Sequence, residues 1–165
     1  MIISLTGYMG SGKSSVGKIL SGMLGFKFTD LDEYITHKKG MPVSDIIVQE
    51  GENTFRALEA ECVRDVIIMS RLTGENMVLS LGGGTLTIGS VRDFILENTY
   101  CVYLKADYET LVSRIGKGTA SRPLFGQKAY EERLGIYQLA EKTIDTEGKT
   151  PEIVAEEIKL FSISL

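Results

Sequence analysis

A chain of 165 residues is long enough for one domain with a substantial core and too short for two ordinary ones. Its 43% hydrophobic and 24% charged residues exclude an intrinsically disordered segment. A formal net charge of -4 excludes a general polyanion binder, whose affinity rests on excess lysine and arginine, so nucleic acid is not an expected partner.

The N-terminal stretch has no basic region and no small-residue cleavage site, and its apolar run stops after a few residues at a glycine loop. No apolar run approaches the ~18 residues that cross a bilayer. A cytoplasmic chain with no membrane partner is the expectation. Cys62 and Cys101 are the only cysteines, lie outside any CxxC pattern and have only His37 to share a metal with, so both are expected to be ordinary buried thiols. His37 sits in a lysine-flanked polar stretch and is expected to be solvated.

In chain order, the first strand is predicted at 2–6 and runs directly into Gly7-Tyr8-Met9-Gly10-Ser11-Gly12-Lys13-Ser14, after which helical spacing covers 14–24. This matches G-x-x-x-x-G-K-[ST] in the strand-before, helix-after context that the motif demands. The glycines let successive N–H groups curl inward around an anion, and the helix N-terminus adds its positive end. Lys13 then reaches the β- and γ-phosphates, and the Ser14 hydroxyl ligates the Mg²⁺ bridging them. Nucleotide binding follows, with Gly10, Ser11, Gly12, Lys13, Ser14 and Ser15 as the cradle.

A second strand at 26–29 ends in Asp30-Leu31-Asp32, two carboxylates at period-two spacing at the end of a strand, where both project toward the ligand crevice of an α/β sheet. Asp30 suits a Mg²⁺ role beside Ser14. Asp32 suits holding a nucleophilic hydroxyl and taking its proton, or equally capping the next helix. The segment 32–51 reads as two short helices, followed by a long helix over about 53–71 that carries Arg56 near its start and Glu59 one turn on. A strand at 77–81 runs into Gly82-Gly83-Gly84, where absent side chains permit close approach to a ligand.

A helix at 91–96, a strand at 101–104 and a helix at 108–115 lead to a polar, glycine-containing segment over about 116–128 with Arg122, an expected lid. A helix over 129–142 carries Arg133, a short strand surrounds Ile144, and a last helix at 151–161 begins with Pro151 in its first turn. Short apolar strands alternating with helices predict a three-layer α/β/α sandwich, a single domain over 1–165 with an acceptor-binding insertion at about 32–60. A GTPase would need N-K-x-D, and a motor or AAA-type protein a longer chain with acidic Walker B residues, and the sequence has neither.

Taken together, the phosphate loop, Asp30-Leu31-Asp32, Gly51-Glu52 with Phe55-Arg56 and Glu59, Gly82-Gly83-Gly84, Arg122-Pro123-Leu124, Arg133 and Asp145-Thr146 resemble, in order and spacing, the motif set of the shikimate kinases over nearly the whole chain. The resemblance implies five parallel strands in the order 2-3-1-4-5 and the reaction of ATP with shikimate to ADP and shikimate 3-phosphate, on the route to chorismate and the aromatic amino acids; a monomer is the expectation. It implies that Asp32 binds the ring hydroxyls and serves as base, and that Arg56 and Arg133 hold the carboxylate. A Gly83 N–H, beside Gly82 and Gly84, assists at the ring, with Phe55, Pro123 and Leu124 as apolar walls. It further implies Arg122 closing on the phosphates, making Lys13, Asp32 and Arg122 the catalytic set, with Arg114 over adenine and Pro151 bordering it. Ile47 stands where an aromatic residue often closes the pocket, and Phe125 where a smaller apolar residue is common, which bears on pocket shape. A gluconate kinase would share the phosphate loop but differ in the acceptor pocket, and a silent nucleotide-binding module would be favoured by a missing Asp32 or Arg122.

Overall fold

The computed structural model describes residues 1–116 and 124–163. Among these, five strands, β1 (Ile2–Thr6), β2 (Lys27–Asp30), β3 (Met77–Ser80), β4 (Tyr100–Lys105) and β5 (Lys142–Asp145), form one parallel sheet in the order β2-β3-β1-β4-β5. This is the predicted α/β sandwich with the predicted strand order. The helices are α1 (Lys13–Leu24), α2 (Leu31–Lys39), α3 (Val43–Glu50), α4 (Glu52–Thr73), α5 (Gly89–Asn98), α6 (Tyr108–Ile115), α7 (Gln127–Tyr137) and α8 (Pro151–Ser162), with a 3₁₀ turn at Thr85–Thr87.

Side chains alternate across each strand, so neighbouring residues feed two different cores. Ile3, Leu5, Val78, Val102 and Leu104 point to one face, where Val16 and Leu20 of α1 and Val154 and Ile158 of α8 cover them. Ile2, Met77, Leu79 and Cys101 point to the other, against Val63 and Ile67 of α4 and Val91 and Ile95 of α5. A sheet covered on both faces needs strands apolar throughout, and β1 and β3 are buried at every position. Both thiols are buried, and burial pushes Cys101 up to about 11. No helix among the described residues is long and apolar enough to cross a membrane.

The segment 32–60 holds α2, α3 and the start of α4, the two short helices and the long one that the sequence predicts. One element differs. The predicted helix over 129–142 ends at Tyr137, and Lys142 instead opens β5. Nothing local stops the helix in Leu139-Ala140-Glu141. The parallel register of β5 on β4, which begins with Lys142 against Val102 and sets Leu104 against Ile144, requires the chain to leave the helix before Lys142, and tertiary pairing overrides propensity.

Gly17 lets α1, and with it the phosphate loop, lie close to the sheet. A Cβ there would stand 2.5 Å from the Phe28 ring edge and 3.4 Å from Leu5, which is wholly buried. Glycine to alanine inside a helix ordinarily stabilises by about 0.5–1 kcal/mol. Gly17→Ala is expected to reverse that sign, destabilising by about 1 kcal/mol through overpacking, read as a lowered urea midpoint at unchanged slope. A raised midpoint would show that Phe28 yields without cost.

Candidate active site

The phosphate loop leaves the carboxyl end of the central strand β1 and closes on itself before α1. The Ser11 N–H donates to the Tyr8 carbonyl at 3.1 Å, and that of Val16 to the Gly12 carbonyl at 2.8 Å. Gly10 and Gly12 sit at φ 87° and 92°, a left-handed region that other residues enter at a cost, and a Cβ on Gly10 would also strike Ile115. The Lys13 ammonium is buried inside the curl and donates to the carbonyls of Gly7 at 2.7 Å and Tyr8 at 3.1 Å. Lysine is therefore stored on the loop it serves.

Three hollows meet around this loop. The base end, about 440 Å³, is lined by Gly10, Ser11, Gly12, Ser15, Arg114 and Pro151 among others. A middle hollow of about 210 Å³ takes Gly10, Gly12, Lys13, Ser14, Ser15, Asp30, Asp32, Gly82 and Gly83. The far crevice, about 380 Å³, is lined by Met9, Asp32, Ile47, Phe55, Arg56, Glu59, the three glycines 82–84, Leu124 and Arg133. Shared residues join them end to end, Gly10, Gly12 and Ser15 on one side of the middle and Asp32, Gly82 and Gly83 on the other.

The two candidate aspartates divide the work that local sequence left open. Asp30 is the N-cap of α2, accepting from the N–H groups of Asp32 at 3.0 Å and Glu33 at 3.3 Å, and its other oxygen accepts from the Ser14 hydroxyl. Asp32 is thereby released from capping and faces the crevice. It keeps access to solvent through the crevice mouth, yet protein crowds it, and desolvation followed by repulsion from Glu59 and Asp30 pushes its carboxyl up to about 6 against the pull of Lys13 and Arg56.

Arg56 and Glu59, one turn apart on α4, form an ion pair at 2.6 Å in which Glu59 is wholly buried and also accepts from the Thr85 hydroxyl at 2.5 Å. Glu52 lies 3.6 Å from the same guanidinium, and the Phe55 ring faces it with its centroid 5.1 Å away. The glycine run lines the far crevice and also accommodates protein side chains. A Cβ on Gly82 would collide with the Glu59 carboxylate and one on Gly84 with the Arg56 guanidinium, whereas Gly83 alone has ordinary clearance, 3.4 Å from the Met9 nitrogen. Two of the three glycines, while lining the crevice, thus also make room for the ion pair.

Arg133 reaches the same crevice from α7. Its residue is buried, and its Nη1 has no hydrogen-bond partner among the described residues. α7 itself is held by hydroxyl-to-carbonyl bonds, Tyr130 to Ala106 at 2.9 Å and Tyr137 to Gly83, with Tyr137 stacked on Tyr103 at 5.0 Å. Phe125 is not a lining residue of the crevice and stacks on Tyr108 at 5.6 Å, whereas Ile47 does line it. At the base end, the Arg114 guanidinium donates to the Thr146 hydroxyl and carbonyl at 3.2 Å, fixing it to the loop after β5. Arg122 and Pro123, and most of the expected lid at about 116–128, lie outside the described residues. Sequence reasoning assigns Met9, Glu59 and Thr85 no role in the site, and the signals at Glu59 are its one-turn spacing from Arg56 and its place in the motif set.

Comparison with known proteins fits this geometry. The shikimate kinase family model matches residues 9–161. The chain belongs to the shikimate kinase family. As a member it is an ATP-dependent kinase. The shikimate kinase of a Sulfurihydrogenibium species is 38% identical over 162 residues, covering 94% of each chain, and that of Streptococcus gordonii 38% over 164 residues, covering 94% of this chain and 96% of its own. Among solved structures, the Acinetobacter baumannii shikimate kinase in complex with shikimate superposes with a TM-score of 0.87 at 29% identity, covering 99% of this chain and 93% of its own. That from Aquifex aeolicus gives 0.83 at 32% identity, covering 99% and 97%. A Janibacter sugar kinase at 14% identity and a TM-score of 0.70 shares the fold alone.

Because the folded state holds the Asp32 proton more tightly than an unfolded chain with a carboxyl near pH 3.9, this group favours folding below about pH 4 and the benefit is lost as pH rises through about 6. Asp32→Asn is therefore expected to raise Tm at pH 7.5 while abolishing turnover, the stabilisation shrinking toward pH 4.5. Equal Tm values at pH 7.5 would show that Asp32 carries no such burden.

Proposed function

We propose that the chain transfers the γ-phosphoryl group of ATP to the 3-hydroxyl of shikimate, giving shikimate 3-phosphate and ADP. The observation that carries this reading is the buried Arg133 guanidinium, with Nη1 unpartnered among the described residues, in one crevice with Asp32. A buried cation of that kind is costly until an anion meets it, and a planar guanidinium meets a carboxylate through two parallel bonds. The crevice thus suits a small polyhydroxylated acid, carboxylate toward Arg133 and Arg56, hydroxyl toward Asp32, ring against Phe55 and Leu124.

Chemistry then follows from placement. The acceptor oxygen bonds to the γ-phosphorus as the bond from that phosphorus to the β-γ bridging oxygen breaks, and the hydroxyl proton passes to Asp32, whose carboxyl at about 6 is poised for a base at neutral pH. Backbone N–H groups of the loop and Lys13, exchanging loop carbonyls for phosphate oxygens, balance the charge on the leaving diphosphate. Arg122 is proposed to add charge from the lid, and Arg114 and Pro151 to border the base. Ser14 and Asp30, joined by a hydrogen bond at the edge of the middle hollow, fit a Mg²⁺, which takes few protein oxygens and keeps the rest for water and phosphate. Once bound, Mg²⁺ neutralises charge on the β- and γ-phosphates. Every group invoked belongs to one chain, so a monomer suffices.

ADP formation measured in parallel with shikimate, quinate, gluconate and nucleoside monophosphates is expected to be fastest with shikimate, and turnover of gluconate alone would overturn the reading. Arg133→Ala is expected to lower kcat/KM for shikimate at least tenfold while leaving ADP affinity nearly intact. Unchanged acceptor kinetics would remove Arg133 from the pocket.

A further inference from the structure

The second residue of the phosphate loop occupies a wildcard position of its motif, where any side chain is allowed, yet here it is a tyrosine with only 1% of its surface exposed. Its hydroxyl and its ring make separate contacts with the same helix. The hydroxyl accepts from the Gly126 N–H at 2.9 Å and donates to the Gly126 carbonyl at 2.9 Å, with the Leu124 carbonyl 3.4 Å away. Gly126 is the N-cap of α7, which has no side-chain cap of its own. Two turns further on, the Arg133 guanidinium lies over the face of the Tyr8 ring, 5.3 Å from its centroid. Tyr130 supports the ring edge-on at 5.5 Å and Phe125 at a tilt at 5.4 Å, so its plane is fixed.

We infer that Tyr8 is a positioning residue of the acceptor pocket, through which the nucleotide loop fixes the start of α7 and holds the Arg133 guanidinium at the depth and orientation that an acceptor carboxylate requires. The inference rests on the shikimate reading for the identity of the acid, but its geometry does not. A buried guanidinium has lost hydration, and the negative face of an aromatic ring returns part of that attraction without occupying the donor edge. The Nη1 that has no partner among the described residues is thereby left available to a ligand instead of being drawn into a protein carboxylate, as happens to Arg56. Burial raises the Tyr8 pKa, so the hydroxyl keeps its proton at neutral pH and remains both donor and acceptor at Gly126. The neighbouring Met9 lines both the middle hollow and the far crevice, so the loop that meets phosphate on one side already forms a wall of the acceptor crevice on the other.

Tyr8→Leu removes ring and hydroxyl, Tyr8→Phe the hydroxyl alone. Tyr130→Phe is the control, deleting a hydroxyl-to-carbonyl bond of equal length from the same helix without touching Arg133. Expected for Tyr8→Leu is a tenfold or larger rise in the shikimate KM with the ADP dissociation constant within about twofold of the parent, and for Tyr8→Phe a rise of about threefold. Tyr130→Phe is expected to lower Tm with the shikimate KM unmoved. The Arg133 Nε–H resonance provides a readout independent of any acceptor, and is expected to shift when the ring is lost in Tyr8→Leu and to stay in Tyr130→Phe. An unmoved resonance overturns the inference, as does loss of ADP and shikimate affinity in equal measure, or an equal KM rise in Tyr130→Phe. If the parent turns over no shikimate while the resonance shifts as expected, the substrate reading fails and the placement of Arg133 by Tyr8 stands.

Discussion

One constraint organises the molecule. β1 lies in the middle of a parallel sheet, hydrogen-bonded to β3 and β4 on either side, and every strand ends toward the same edge. The loops leaving β1, β2 and β3 therefore emerge side by side, and the phosphate loop, Asp30-Leu31-Asp32 and the glycine run become neighbours though they are far apart in sequence. A sheet order that reverses direction outward from its first strand opens a crevice at that edge. Both aliphatic cores serve to hold that edge still, since a half-ångström error at the loop would misalign donor and acceptor.

Within the crevice the balance of charge matters more than any single group. Asp32 and the buried Glu59 would repel one another unchecked, and Arg56 intervenes by pairing with Glu59, leaving Asp32 as the carboxylate whose proton affinity is raised. Two arginines that look alike in sequence are thus unlike in place: Arg56 is committed to a protein carboxylate, while Arg133 is carried by an aromatic face. A cation committed to a protein carboxylate orients a ligand at modest cost, whereas Arg133, its Nη1 unpartnered among the described residues, has more to gain from an incoming anion.

The parts of the fold and site legible in the sequence are those whose determinants are contiguous. The phosphate loop could be read because its glycines, Lys13 and Ser14 act within eight residues, and strand order could be read through family resemblance because the motifs recur in sequence order. Contacts between distant segments could not. Nothing near Leu139 announces that α7 stops at Tyr137, because pairing with β4 decides it. Gly82 and Gly84 read as room for a ligand, but nothing near them in sequence shows that they also make room for side chains from α4, some 25 residues upstream. Asp32 and Asp30 were both placed at the crevice, yet which of them caps α2 depends on backbone direction that two carboxylates in alternation do not specify. Tyr8 lay in a position its own motif leaves blank, and its partners at Gly126 and Arg133 are more than a hundred residues away.

The aromatic cluster has an optical consequence. The chain contains no tryptophan and seven tyrosines, of which Tyr8, Tyr103, Tyr108, Tyr130 and Tyr137 crowd together around the phosphate loop and α7. Near-ultraviolet absorbance, which in most proteins is dominated by indole, here comes from phenol rings, and most of those rings stand beside the candidate active site with a guanidinium resting on one of them. The native protein thus carries its principal chromophores next to the candidate site, with no label attached.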